Sequence, residues 1–296
     1  MTCDRVIVAF DGSDQGADAL ALAVRLCDPH GTLTLACVVT GQRWHLGAHV
    51  HRPDAPVPEE LGSLFADARA TMIPPGIRVR ERAPVAPSPA RGLTELAENE
   101  GADLIVIGSS QHASGGRIRL ERTAGRLLQG APCAVAIAPG GLRETAEFRH
   151  IGIAYDGSPE ARAALAVGYD IAARCGAAVS LFHALSTMES DELRRQARRD
   201  AETALDAAAG IAPAGVNPRT VLLHGTPSVV IGSACEGVVD LLVAGSRGYG
   251  PMHRALVGSV SEGLTEGASH PVLIVARRPA QAASDPPPTP EIVEAS

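Results

Sequence analysis

Rings are scarce in this chain: only 3% of its 296 residues are Phe, Trp or Tyr, so its cores must be built from Ala, Val, Leu and Ile. No C-x-x-C pair occurs either. The six cysteines, Cys3, Cys27, Cys37, Cys133, Cys175 and Cys235, are scattered, mostly within apolar runs, and read as buried reduced thiols. A reducing cytoplasm is the compartment this implies. Basic excess is absent: the formal charge is -7 and spread out, which gives no footprint for nucleic acid or an anionic membrane. No apolar run approaches a membrane span, and MTCDRVIVAFDGSD, broken by Asp4 and Asp11, does not read as a signal peptide. The chain is expected to be soluble. Also missing are a G-x4-G-K-[ST] loop, a dedicated magnesium carboxylate pair, and a nucleophile with a base at recognisable spacing. No catalytic apparatus is evident, and any enzymatic role is expected to reach no further than a weak ATPase.

What is present is a duplication. Arg5-Val-Ile-Val-Ala-Phe-Asp-Gly-Ser13 parallels His150-Ile-Gly-Ile-Ala-Tyr-Asp-Gly-Ser158, a short apolar strand followed by an Asp-Gly-Ser turn and an Ala/Leu-rich helix. Gly101 to Ser109 parallels Val238 to Ser246, and Gly130 to Ile137 parallels Gly267 to Ile274. One domain in tandem explains all three pairs, and the length suits two domains. The boundary is expected in Gly140 to Phe148, giving domains 1–142 and 149–278, with a disordered Pro-, Ala- and acid-rich tail over 279–296. Within each repeat, strands alternate with helices. Ser158 reads as an N-cap with Pro159 behind it, and Ala161, Leu165, Gly168 and Ala172 then share a face. Leu193, Ala197, Ala201, Leu205 and Ala208 mark an amphipathic helix whose arginines, Arg194, Arg195, Arg198 and Arg199, form its solvated side. This pattern predicts an α/β fold of two tandem doubly wound domains with parallel sheets. Ala134 to Pro139 and Pro271 to Ala276 read as exposed edge strands, which favour pairing.

The densest signal lies in VVDLLVAGSRGYGPMHRALVGSVSEGLTEGASHPVLIV. A strand over Val238 to Ala244 is expected to end in Gly245-Ser246-Arg247-Gly248, where glycines let a ligand approach the main chain. Such a strand exit is where open α/β sheets bind ligands. Ser259 and Glu262 form S-x-x-E, read as a capping box opening a helix over Val260 to Gly267. Free N–H groups would then face an anion, most simply a phosphate. The plainer alternative is a tight strand exit followed by an ordinary cap. For Asp156 the corresponding alternative is a turn residue bonding its own backbone.

Taken together, the chain resembles a tandem universal stress protein over about residues 4 to 139 and 149 to 278. The motif G-x2-G-x9-G-[ST] of that family's ATP-binding branch is met by Gly245, Gly248, Gly258 and Ser259. The resemblance implies a five-stranded parallel sheet in each domain, Rossmann-like and similar to the adenine nucleotide alpha hydrolases. It implies ATP as the ligand, with or without Mg. Asp156 would approach the nucleotide and the main chain near Ala184 would meet the adenine. Gly245, Arg247, Gly248, Gly258, Ser259 and Val260 would surround ribose and phosphates. Pairing of the two repeats within a chain through the strands Ala134 to Pro139 and Pro271 to Ala276, and a possible homodimer of chains, are implied as well. An ATP pyrophosphatase or adenylating enzyme would carry Ser-Gly-Gly-x-Asp-Ser after its first strand, where this chain has Phe-Asp-Gly-Ser-Asp-Gln and Tyr-Asp-Gly-Ser-Pro-Glu. The remaining alternative is a dimerisation or signalling module that binds no nucleotide.

Repeat one departs from the motif, with Gly108-Ser-Ser-Gln111 and then Glu121-Arg122 where Gly and Ser are wanted. Glu121 is expected to favour the helix dipole while repelling a phosphate, so this repeat is not expected to bind ATP in the usual way. Arg117, Arg119, Arg122 and Arg126 leave a modified anion site as the alternative. The loop Thr40 to Pro58 holds Trp44, His45, His49 and His51, but Gly47, Pro53, Pro56 and Pro58 oppose a helix that would bring two histidines to one metal. No metal site is expected.

Overall fold

The computed structural model describes residues 3–40, 57–110, 116–144, 147–186, 190–249, 255–256 and 258–276. The histidines of the 40–58 loop, His253, and the tail over 279–296 lie outside the described residues.

The first half runs β1 (Arg5–Ala9), α1 (Asp14–Leu26), β2 (Thr32–Ala36), α2 (Glu59–Met72), β3 (Arg78–Arg82), α3 (Pro89–Glu100), β4 (Leu104–Gly108), α4 (Arg122–Gly130) and β5 (Ala134–Ala138). The second runs β6 (His150–Ala154), α5 (Pro159–Cys175), β7 (Ala178–Leu185), α6 (Asp191–Gly210), β8 (Arg219–His224), α7 (Pro227–Cys235) and β9 (Leu241–Gly245). It continues through a small hairpin, β10 (Arg247–Tyr249) with β11 (Ala255–Leu256), then α8 (Ser259–Thr265) and β12 (Val272–Val275). The duplicated sequence therefore folds as a duplicated series of strands and helices.

Local chemistry explains most boundaries. Ser13, Ser88, Ser158 and Ser190 each cap a helix, the side chain accepting from an N–H three residues on. Pro159 sits in the first turn of α5, where its missing N–H costs nothing, and Gly176 ends that helix in the left-handed region. The four α6 arginines are exposed, three of them paired with acids one turn away, in keeping with a solvated face. Ala201, Leu205 and Ala208 are buried as the periodicity predicts, but Leu193, in the first turn, is 62% exposed.

The five main-sheet strands of each half are parallel, in the orders β3-β2-β1-β4-β5 and β8-β7-β6-β9-β12, while β10 and β11 pair antiparallel outside that sheet. This is the predicted doubly wound α/β arrangement. The two edges read from the sequence cover one another, as the resemblance implied: β5 pairs antiparallel with β12, Ala136 opposite Leu273, making one ten-stranded sheet with both strands buried. Each face of the sheet carries one apolar cluster that runs through both halves. One holds Leu22, Leu35, Leu165 and Leu181; the other holds Leu93, Ile105, Ile231 and Leu242.

Two further expectations need correction. The strand predicted from Val238 begins only at Leu241; Val238 is 54% exposed, and the Asp240 carboxylate accepts the N–H groups of Arg149 and His150 at 2.8 Å. An acid there is a link to β6, not part of a buried strand. Among the cysteines, all free, Cys175 is exposed at the end of α5 and Cys37 half-buried, while the other four are buried. Burial pushes the Cys3 and Cys27 thiols up to about 11 and Cys235 up to about 12, which keeps them protonated. Among the described residues no helix is long and apolar enough to cross a membrane.

Candidate functional site

In each half the strand order reverses beside the first strand, and there the chain leaves a cavity at the carboxyl ends of the strands. The C-terminal cavity has a volume of about 380 Å³ and the N-terminal one about 330 Å³. Both fall within the range that holds small ligands.

The C-terminal cavity is built from the ends of β6, β7 and β9 and the first turns of α5, α7 and α8. Phe182, Ala184, Ile231 and Ala244 give it an apolar floor, while Asp156, Ser246 and the N-cap Gly258 supply the polar rim. Asp156 precedes Gly157, whose φ of 79° makes the tight turn into α5. Its carboxylate accepts the Ser158 N–H at 2.9 Å. The turn role foreseen for Asp156 is thus present, and the same residue borders the cavity. Ser261 donates to the Gly245 carbonyl at 2.8 Å, tying α8 to the end of β9. Ser246 is buried, and its hydroxyl has no hydrogen-bond partner among the described residues.

Of the residues singled out in the sequence, Asp156, Ala184, Gly245, Gly258 and Val260 line this one cavity. Arg247 and Gly248 fall in β10, directly after Ser246, with side chains outside the described set. Ser259 does not cap α8: Gly258 is the N-cap and Ser259 opens the helix, so the predicted capping box with Glu262 is not formed. The helix starts one residue earlier than its pattern suggested, and it runs 259–265 rather than to Gly267. Glycine offers no cap oxygen, and at φ -76° and ψ 155° its conformation is one any residue adopts.

Gly245 answers to a different constraint. A Cβ there would lie 2.6 Å from the Glu160 carbonyl carbon and 2.9 Å from the Ala161 nitrogen, so only glycine lets β9 meet the start of α5. Gly108 does the same in the first half, where a Cβ would fall 2.2 Å from the Gln15 carbonyl oxygen.

The N-terminal cavity repeats the plan with Asp11, Ser13, Val38, Leu93, Gly108 and Ser109 in corresponding places. Asp11 accepts the Ser13 N–H at 3.0 Å, and Gly12 has a φ of 82°. The decisive substitution is at the helix start: Glu121 is the N-cap of α4, where Gly258 is the N-cap of α8. The Ser110 hydroxyl donates to the Glu121 carboxylate across the cavity rim. Arg119 also lines this cavity. Ser109, unlike Ser246, is satisfied, accepting from the Arg119 N–H at 2.9 Å.

His183 follows Phe182 on β7; burial lowers its pKa against the opposing pull of Asp156. No group of three or more His, Cys, Asp or Glu side chains suited to a metal occurs among the described residues.

Comparison with known proteins matches the family model "Universal stress protein family" twice, at residues 2–139 and 147–276. The chain belongs to this family. A tandem universal stress protein of Mycobacterium tuberculosis H37Rv is 25% identical over 296 residues, covering 91% of this chain and 99% of that one. A Thermus aquaticus universal stress protein is 34% identical over 139 residues, 43% of this chain and 98% of its own length. Among solved structures, a universal stress protein from Archaeoglobus fulgidus superposes with a TM-score of 0.63 at 18% identity, covering 94% of this chain and 100% of its own. These findings assign the universal stress protein fold to the whole described chain and place one family unit in each half. Beside them, the two cavities of this universal stress protein provide an internal comparison, similar in plan and different in charge at the helix cap.

Proposed function

We propose that this universal stress protein is a regulatory, ATP-binding protein of the cytoplasm, with one adenine nucleotide held in the C-terminal half. The observation that carries this reading is the cavity at the strand reversal, whose helix start carries a carboxylate, Glu121, in one half and no side chain, at Gly258, in the other. The apolar floor of Phe182, Ala184 and Ile231 suits a purine ring, and Asp156 at the end of β6 suits a sugar hydroxyl. Phosphates then run toward Gly245, Ser246 and Gly258, where the Ser246 hydroxyl is a buried donor without a partner among the described residues. Gly248, Arg247, Ser259 and Val260 flank that path by position in the chain. Mg, if carried in, would come with the phosphates, since this lining offers only Asp156 and Glu160 as carboxylates. The six free cysteines fit a reducing compartment.

Nucleotide released from the native protein, identified by mass spectrometry and counted by calorimetry, tests this directly. One ATP per chain is expected. Gly258→Glu places in the second half the carboxylate that the first half has, and at an effective dielectric of about 20 two unit charges 4 Å apart repel by about 4 kcal/mol. ATP affinity should fall at least about 100-fold, with secondary structure unchanged by circular dichroism. Undiminished binding in this variant would remove the helix start from the phosphate path and the reading with it.

A further inference from the structure

We propose that the N-terminal cavity is a second binding site, selective for an uncharged adenine nucleoside and closed to its phosphorylated forms; this rests on the reading of the C-terminal cavity as an adenine nucleotide site. Its floor has the same plan, with Val38, Leu93 and Ile107 as apolar surface and the Asp11 turn at the same strand end. Its volume of about 330 Å³ is only slightly below the 380 Å³ of its counterpart. The base and sugar therefore find an apolar floor and an aspartate turn in both halves.

Ala36 replaces Phe182 and Ile107 replaces Ala244 on the floor, which stays apolar, but the change of charge lies where phosphates would leave. There the Glu121 carboxylate, held by the Ser110 hydroxyl, stands at the N-cap that Gly258 leaves bare in the second half. A phosphate would have to displace a carboxylate from its hydrogen bond and then lie against it, whereas a hydroxymethyl group meets no like charge and can itself donate a hydrogen bond. Arg119 adds one positive charge to this lining, but Asp11 and Glu121 in the same lining oppose it. Thr123, opposite Val260 of the other half, gives the rim one more hydroxyl suited to a neutral polar partner.

Cys37 makes the proposal testable on the intact chain, because it lines this cavity while the exposed Cys175 lies at the end of α5. The alkylation rate of each is followed by peptide mass mapping with iodoacetamide at alkaline pH, since burial raises the Cys37 thiol pKa. Adenosine should slow labelling of Cys37 about tenfold and leave Cys175 unchanged, while ATP at the same concentration should not protect Cys37. In Glu121→Gly, ATP should protect as adenosine does. Equal protection by ATP and adenosine in the unaltered chain, or no protection by adenosine at millimolar concentration, overturns the proposal. Either of these results is obtained on the unaltered chain, so misfolding of the variant would leave the test intact. Absence of ATP from the whole chain by calorimetry would instead remove the C-terminal reading, and the Cys37 contrast would still decide this one.

Discussion

Gly245 and Gly258 stand in one motif for two unrelated physical reasons. Gly245 is imposed by packing, because a methyl group would sit 2.6 Å from the backbone of Glu160. Gly245→Ala should therefore cost about 1 to 3 kcal/mol, the usual cost of overpacking, seen as a lower urea midpoint even without nucleotide. Gly258 has an ordinary extended conformation, so its lack of a side chain matters to the cavity rather than to the backbone. The spacing of these glycines was legible in the sequence, but their separate causes were not, because a close approach of strand to helix is a tertiary fact. The sequence holds no lysine, all 26 Lys and Arg positions being arginine, so every permanently charged basic side chain here is a guanidinium. His270 had no signal at all in the sequence. It is 5% exposed, both ring nitrogens lack partners among the described residues, and burial, against the pull of Glu236, depresses its pKa to about 4. Above its unfolded value of 6.5 both states hold it neutral, so it imposes no pH dependence there. As the pH falls from 6.5 towards 4 the unfolded chain binds a proton that the folded chain refuses, and up to about 3 kcal/mol of stability is lost. Denaturant midpoints of the unaltered chain and His270→Gln across that window check this; parallel pH profiles would refute it.

Elements were legible wherever the local code and the packing agree. Ser158 followed by Pro159 announces α5, and the structure places Ser158 as its cap and Ala161, Leu165, Gly168 and Ala172 on its buried face. Ser158→Ala should cost about 1 kcal/mol by urea unfolding, the ordinary value of a serine cap, with the same change at Ser13 costing a similar amount. A loss below a few tenths at both would mean the caps are dispensable. Where the local code misleads, a distant partner or a shifted helix start has intervened. Asp240 looked like a flaw in an apolar strand until the structure joined it to the N–H groups of Arg149 and His150, far away in sequence. Ser259 looked like a cap because S-x-x-E is the usual signature, yet the helix starts one residue earlier, on Gly258. Leu193 kept the helical period but lies in the first turn of α6 and is exposed, whereas Leu205 is buried.

The join between the halves shows how the duplication serves the whole molecule. β5 and β12 occupy the same place in the two repeats, and they pair about a local two-fold: Ala136 faces Leu273 at the centre, with Val135 opposite Ile274 and Ile137 opposite Val272. The first half adds a second contact just before Glu121, where Ile118 exchanges backbone hydrogen bonds with Gly267 and Ala268. Arg117 donates to the Gly267 carbonyl at 2.8 Å and pairs with Glu236, and the Leu120 N–H reaches the Glu266 carboxylate at 2.7 Å. In sequence, β5 read locally as an edge seeking a partner, and only the resemblance named that partner as the matching strand of the other repeat, because nothing local distinguishes a strand awaiting a partner from one already paired within its own chain. A fragment ending at residue 142 restores that exposed edge, with Val135, Ile137 and their apolar neighbours stripped of cover. The register that centres Ala136 on Leu273 would centre Ala136 on its own copy with no shift, so the fragment should form an antiparallel dimer through β5. Light scattering on the fragment should give twice the fragment's mass, and Ile137→Pro, which removes an N–H on the side of β5 away from β4 and facing the join, should abolish the dimer. A stable monomer at micromolar concentration would mean that the contacts around Arg117 and Ile118, rather than the strand pair, hold the two halves together.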